Sequence, residues 1–376
     1  MLRLPLFNIL LLLNILGHGA FGEESAFIRH SQEVHNLIQW LESAGGFLDS
    51  RVEIRRLDPE DPSSYFGVFA NAPIQENEIL MRIPGELKIQ IVDDGNDWEY
   101  DEEVCELSWM LKAEFEKGDK SKFLPYINYL RTQVEGQIPG AWSSAGQGLL
   151  LKVQGGLRIN GAYEEEEPSS IVSWLRSYAE EECAVGDETL DPHFIALTVQ
   201  RGYDSALIPI YDMLNHSNHP EKVNTMTDSS LHDFDDEFTV QALRHLKAGE
   251  ELHYAYHDTS SDEWGTPEIL RDFGFVEGYP HTFHISDGVT IVVDQVESDD
   301  GQLEYVASCL NENCPESSWI EEKVQALMEV EEILLPEVAM AKLQVPPREL
   351  AIIKEYHQAL LVAFSSISSK CPDPDT

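Results

Sequence analysis

Basic residues are scarce in this chain. Only 25 Lys and Arg stand against 68 Asp and Glu, a formal net charge of −43 over 376 residues. A field of that sign repels phosphate backbones and anionic lipids, so nucleic acid is not an expected partner. The same field draws in a Lys- or Arg-rich protein segment, or simply keeps the chain in solution. Cysteine is also sparse, with Cys105, Cys183, Cys309, Cys314 and Cys371, and no spacing among the five makes a zinc site. In an oxidising compartment Cys309 and Cys314 are close enough in sequence to close a short loop, and the odd count leaves at least one thiol free or paired outside the chain. After the N-terminus no apolar run is long enough to anchor the chain in a bilayer, and there are no internal repeats.

What is present is ordinary globular material, 42% hydrophobic and 9% aromatic, enough for one large domain or two modest ones. Residues 1–22 carry one early positive charge at Arg3, an apolar stretch from Leu4 to Leu16, and small residues at Ala20 and Gly22. That pattern predicts a signal peptide cleaved after Gly22 or Ala20, and with it the secretory pathway, either the endoplasmic reticulum lumen or the outside of the cell.

Periodicity organises the rest. Val34, Leu37, Ile38 and Leu41 predict a helix stopped by Gly45-Gly46. Residues 67–70 and 79–84 read as two short strands around a turn at Glu76-Asn77. Val104, Leu107, Leu111 and Phe115 recur at helical spacing, Phe123 to Ile127 leads into a Pro/Gly/Ser-rich connection, Glu164 to Glu167 is a solvated charge run, and a helical region follows to about Val199. From Glu237 to Tyr256, Phe238, Val240 and Ala242 alternate on one strand and Leu252, Tyr254 and Tyr256 on the next, which predicts a hairpin. Helical spacing returns from Ile320 to Leu334 and from Leu350 to Phe364, so a helical C-terminal domain is expected after a β-rich core.

Three islands stand in order along this frame. The first is Tyr65-Phe66-Gly67-Val68-Phe69-Ala70 with the stretch from Ile74 to Pro84; the second runs from Leu207 through Asp212-Met213-Leu214-Asn215-His216-Ser217; the third is Ala248-Gly249-Glu250-Glu251-Leu252-His253-Tyr254-Ala255-Tyr256, with Leu270 to Val276 downstream. Together they resemble a SET domain of the Rubisco large-subunit lysine methyltransferase type. The resemblance covers roughly residues 30 to 365 and is carried most by the Asp-x-x-Asn-His-Ser pattern. It implies an α+β fold: a SET methyltransferase domain over 23–280 with a helical insert at about 100–200, then an all-helical, substrate-binding-like domain over 281–376.

The resemblance also implies a chemistry, methyl transfer from S-adenosyl-L-methionine to a lysine, or less readily a histidine, of a protein substrate with a basic segment. Methyl transfer from a sulfonium chiefly requires alignment of a neutral amine with an already activated carbon. By resemblance Tyr256 is the aligning, catalytic tyrosine; Tyr65, Phe66, Arg201, Asn215, His216 and Tyr256 hold the cofactor; Asp212 and Phe273 face the substrate; no metal is required. Two departures bear on activity. Tyr65 stands where the family usually has a glycine, and Phe273 replaces a tyrosine, losing a hydroxyl beside the target amine.

Other readings compete. His216, His219, His253 and His257 admit a metallohydrolase site, although their spacing matches no zinc motif. A catalytically inactive SET fold acting as a partner-binding module is consistent with the changes at Tyr65 and Phe273. Asn215-His216-Ser217 is a glycosylation acceptor, and a glycan there excludes a cofactor pocket at the same residue.

Overall fold

The computed structural model describes residues 20–58, 64–91, 100–155, 157, 170–227, 237–257, 264–286, 289–298, 301–310, 314–334 and 344–368. The predicted signal segment up to residue 19, the charge run Glu164 to Glu167 and Cys371 lie outside them. Helix α1 (Ala20–Ser43) contains the helix expected from Val34, Leu37, Ile38 and Leu41, buries Leu37 and Leu41 completely, and gives way to Gly45 at φ +86°.

Five short strands follow: β1 (Phe47–Leu48), β2 (Val52–Arg56), β3 (Phe66–Ala70), β4 (Ile79–Ile83) and β5 (Ile89–Gln90). The two expected strands are therefore present as β3 and β4, but they do not pair with each other. β3 pairs antiparallel with β2, and β4 lies between β1 and a strand from much later in the chain. Helices α2 (Tyr100–Lys117), α3 (Leu124–Leu130), α4 (Ser144–Gln154), α5 (Ser170–Ser177) and α6 (Pro192–Arg201) then fill the expected insert. Phe123 to Ile127, read as a lead into a connection, runs into α3, with Pro125 accommodated in its first turn. A disulfide joins Cys105 on α2 to Cys183 after α5, a pairing the spacing did not suggest.

Strands β6 (Gly202–Tyr203), β7 (Ala206–Leu207), β8 (Asn215–His216), β9 (Thr225–Thr227), β10 (Phe238–Ala242) and β11 (His253–Tyr254) complete the β-rich part. Phe238, Val240 and Ala242 are buried on one face of β10, as their alternation predicts. The hairpin predicted from 237 to 256 does not form. β10 pairs with β4 and β9, while β11 runs parallel to β8. Between them the chain crosses to the first island: Leu246 exchanges backbone hydrogen bonds with Ile74, Gly249 N–H donates to Ala70 and Leu252 N–H to Val68. Alternation marks a strand's faces and not its partner. Leu246 and Leu252 are fully buried in the core that holds Val68 and Ile74, burial that an isolated hairpin lacks.

Beyond α7 (Thr266–Phe273) the all-helical expectation is corrected. Strands β12 (His281–Ser286), β13 (Val289–Glu297) and β14 (Leu303–Cys309) form a three-stranded antiparallel sheet before α8 (Ser317–Leu334) and α9 (Pro347–Ser368). The run Val289-Thr290-Ile291-Val292-Val293 is β-branched throughout and favours an extended backbone. Phe283, Ile291, Val293 and Ala307 share a second core with Ile353, Leu360 and Phe364 of α9 and with Leu150 and Val153 of α4. The helical insert thus contributes to the C-terminal core across the boundary expected near residue 280. The disulfide Cys309 to Cys314 closes the short loop that their spacing allowed. Among the described residues no helix is long and apolar enough to cross a membrane.

Candidate active site

The eight residues singled out from the sequence, Tyr65, Phe66, Arg201, Asp212, Asn215, His216, Tyr256 and Phe273, all line one cavity of about 430 Å³. They come from five separated stretches of chain, and the pairing of β8 with β11 is what unites two of them. His253 stands opposite Asn215 and Tyr254 opposite His216, so the second and third islands run side by side into the cavity.

Just before β8 the backbone is strained. Ile210 is β-branched, fully buried and at φ +72°, a conformation costing about 1–3 kcal/mol. The turn it begins, Tyr211 to Met213, turns Asp212 inward. The Asp212 side chain is fully buried; Oδ2 accepts from the Tyr126 hydroxyl at 2.9 Å and from Arg201 at 3.2 Å, while Oδ1 is buried with no partner among the described residues. Burial pushes the Asp212 carboxyl above its ordinary range despite the opposing effect of Arg201. Arg201 also donates to the Asp212 carbonyl and the Tyr129 hydroxyl, each at 3.1 Å, and to Gln133 Oε1 at 2.5 Å. Burial pushes the Tyr129 phenol up to about 12.

Asn215 Nδ2 donates to the Phe66 carbonyl at 3.2 Å and to Glu251 Oε1 at 2.7 Å. Burial raises the Glu251 carboxyl, but hydrogen bonds from His253 and Asn215 outweigh it and hold the group below its usual range. A Cβ on Gly67 would stand 2.6 Å from Glu251 Oε1, so the first island needs its glycine for this carboxylate to approach. Nδ2 of Asn215 is also where a glycan would attach, and a glycan would replace one of the two hydrogens that Nδ2 donates and would need room inside the cavity. The arrangement favours the cavity over the glycan.

Tyr256 is held at both ends by the same segment. Its phenol donates to the Leu214 carbonyl at 2.9 Å, and its backbone N–H donates to His216 Nδ1 at 3.1 Å. Burial keeps the phenol well above its ordinary pKa, so the group is a neutral hydrogen-bonding hydroxyl and not a base. Its ring lies 4.6 Å from Phe273, 4.9 Å from Tyr254 and 5.1 Å from His216, centroid to centroid. Gly274, at φ +75° behind Phe273, lets the backbone pass so close to the Gln137 carbonyl that a Cβ would come within 2.0 Å of that oxygen.

Tyr65 sits half exposed at the rim, where its hydroxyl accepts from Arg348 on α9. Several cavity residues escaped the sequence reading. Glu251 stood in plain view in the Ala-Gly-Glu-Glu turn and Phe275 in the stretch downstream of the third island; Tyr129 and Gln133 carried no signal of their own. The His216 and His257 rings lie 5.4 Å apart, but among the described residues no group of three or more His, Cys, Asp or Glu is arranged to hold a metal ion.

Solved structures with a similar fold include the SET domain of LSMT bound to lysine and AdoHcy, which is 15% identical over 90% of each chain with a TM-score of 0.52. The SET domain of LSMT bound to MeLysine and AdoHcy is 16% identical over 90% of each chain, TM-score 0.52. Rubisco LSMT bound to AdoMet is 14% identical over 90% of this chain and 91% of that one, TM-score 0.52. At such identities the likeness shows the fold. No curated protein matches the chain significantly. The family model described as SET domain matches residues 65–257, more than half of the chain. Its two ends fall at the cavity, on Tyr65 and just past Tyr256, and the chain belongs to the SET domain family.

Proposed function

We propose that the protein is an S-adenosyl-L-methionine-dependent protein-lysine N-methyltransferase, with lysine preferred to histidine as acceptor. The observation that carries the reading is the convergence of the three islands on one cavity around Tyr256. The solved relatives that share the fold bind AdoMet or AdoHcy, with lysine or methyllysine in two of them.

The residues fit such a cofactor and acceptor. The rings of Phe66, Tyr256, Phe273 and Phe275 and the Glu251 carboxylate suit a cationic sulfonium. Arg56 and Arg201 on the same wall suit a carboxylate. Asp212, paired with Arg201 beside the cavity, supplies a buried carboxyl that suits a nearby amine. Bound AdoMet would supply the activated methyl carbon. Asn215, His216 and Phe66 then hold the cofactor end, with Tyr65 at the rim, while Asp212 and Phe273 flank the amine. Tyr256, neutral and fixed at both ends, accepts from the amine and aligns its lone pair for in-line attack. With Tyr256 and Tyr129 held neutral by burial, the amine enters after shedding its proton to water.

The substrate is a protein with a basic segment, drawn by the net charge of −43. The compartment is the secretory pathway, a reading supported by two disulfides and the N-terminal apolar stretch. Calorimetry on the mature protein tests the function: AdoMet binds, and Asn215→Ala weakens it. No heat at millimolar AdoMet refutes the reading; binding with no transfer to any Lys-rich protein favours a partner-binding module.

A further inference from the structure

One buried chain of hydrogen bonds leaves the cavity and ends beyond the family match. His216 Nδ1 accepts the Tyr256 backbone N–H at 3.1 Å, so that nitrogen carries no proton. A neutral imidazole then bears its proton on Nε2, which faces Glu277 Oε2 at 3.2 Å. The other oxygen, Glu277 Oε1, accepts from the Thr266 hydroxyl at 2.7 Å, and Thr266 Oγ1 accepts the Thr282 N–H at 3.1 Å. His216 and Glu277 side chains are 1% and 2% exposed. Asn218 pins the same loop by donating to the carbonyls of Gly278 and Pro280. The donors converge on the Glu277 carboxylate from both ends: Tyr256 through His216 on one side, Thr282 through Thr266 on the other.

We infer that Glu277, twenty residues past the end of the SET match at 257, is a positioning residue: it selects the His216 tautomer that receives the Tyr256 backbone N–H. An imidazole whose second nitrogen faces no acceptor is free to move its proton to Nδ1. There it would oppose the Tyr256 N–H and release that end of the tyrosine. The hydroxyl would keep its bond to the Leu214 carbonyl, so the ring would pivot rather than leave. Glu277 does not itself line the cavity, and it acts on the site through His216, which does. This assignment rests on the function proposed above for its consequence in turnover, but not for the tautomer itself.

The test uses the mature chain labelled with nitrogen-15 and needs no substrate for its first reading. In the parent, the His216 ring shows a bare Nδ1 and a protonated Nε2. Glu277→Leu converts it to a mixture or to the opposite tautomer and shifts the Tyr256 amide, whereas Glu277→Gln, which keeps an oxygen facing Nε2, retains the parental tautomer. In methyl transfer, Glu277→Leu lowers kcat up to about 100-fold, the loss typical of a ~1 Å misplacement, with a smaller change in AdoMet affinity; Glu277→Gln restores most of the loss. A parental tautomer in folded Glu277→Leu, or equal kcat in the two variants, overturns the assignment. A parent that transfers no methyl group refutes the proposed function, and the imidazole spectrum still decides the role of Glu277.

Discussion

Replacing Tyr256 by phenylalanine removes one oxygen atom, and the structure says what that atom does. The hydroxyl donates to the Leu214 carbonyl at 2.9 Å, and Leu214 is fully buried. A neutral hydrogen bond of this kind contributes about 1 kcal/mol net, and leaving its buried acceptor unmet costs about 1–3 kcal/mol, so the variant should lose stability in that range. The ring itself stays packed between Phe273 and Tyr254 at 4.6 and 4.9 Å, so the cavity keeps its shape. AdoMet affinity should therefore change little. Turnover should fall by more than the ~5-fold worth of one lost ground-state bond, towards ~100-fold, because the missing hydroxyl orients the amine only in the reacting complex. The assay is transfer of labelled methyl from AdoMet to a Lys-rich protein, with calorimetric AdoMet binding beside it. If Tyr256→Phe transfers methyl groups as fast as the parent, Tyr256 is not the aligning residue.

Two further outcomes follow from groups around the site. Burial pushes His281 down to about 4 from an ordinary 6.5, so the unfolded chain binds a proton that the folded chain refuses between these values. Stability should then rise with pH across that window and be lost as pH falls through it, by at most roughly 3 kcal/mol; urea midpoints of the parent against His281→Gln measure it, and an equal pH slope in both rules it out. Gly274→Ala adds left-handed strain of ~1–2 kcal/mol to overpacking of ~1–3 kcal/mol, since the new Cβ would stand 2.0 Å from the Gln137 carbonyl. The variant should melt well below the parent by calorimetry and bind AdoMet poorly, and a parental Tm would show that the segment carrying Phe273 and Phe275 yields more easily than its packing implies.

Much of this protein is legible in its sequence because the governing interactions are local. Spacing alone fixes the faces of α1, α2 and α9, and alternation fixes which side of β10 is buried. The family resemblance that the three islands carry, with Asp212, Asn215 and His216 in a narrow pattern, names eight of the residues that meet in the cavity. Partners are another matter. The strands at 67–70 and 79–84 are where alternation puts them, yet each pairs elsewhere, and the expected hairpin is broken because Leu246 and Leu252 find deeper burial against the first island. Residues 281–309 were expected to belong to helices because the helical spacing downstream dominates the last ninety residues, but their β-branched run sets a sheet that only the packing of α9 completes. Tyr129, Gln133 and Glu277 carry no motif at all. Their roles arise from contacts spanning 72, 68 and 61 positions along the chain. Sequence determines what each segment buries and which chemical groups it owns; only the tertiary fold, by bringing distant polar atoms within 3 Å in a dry interior, decides which of those groups face one another.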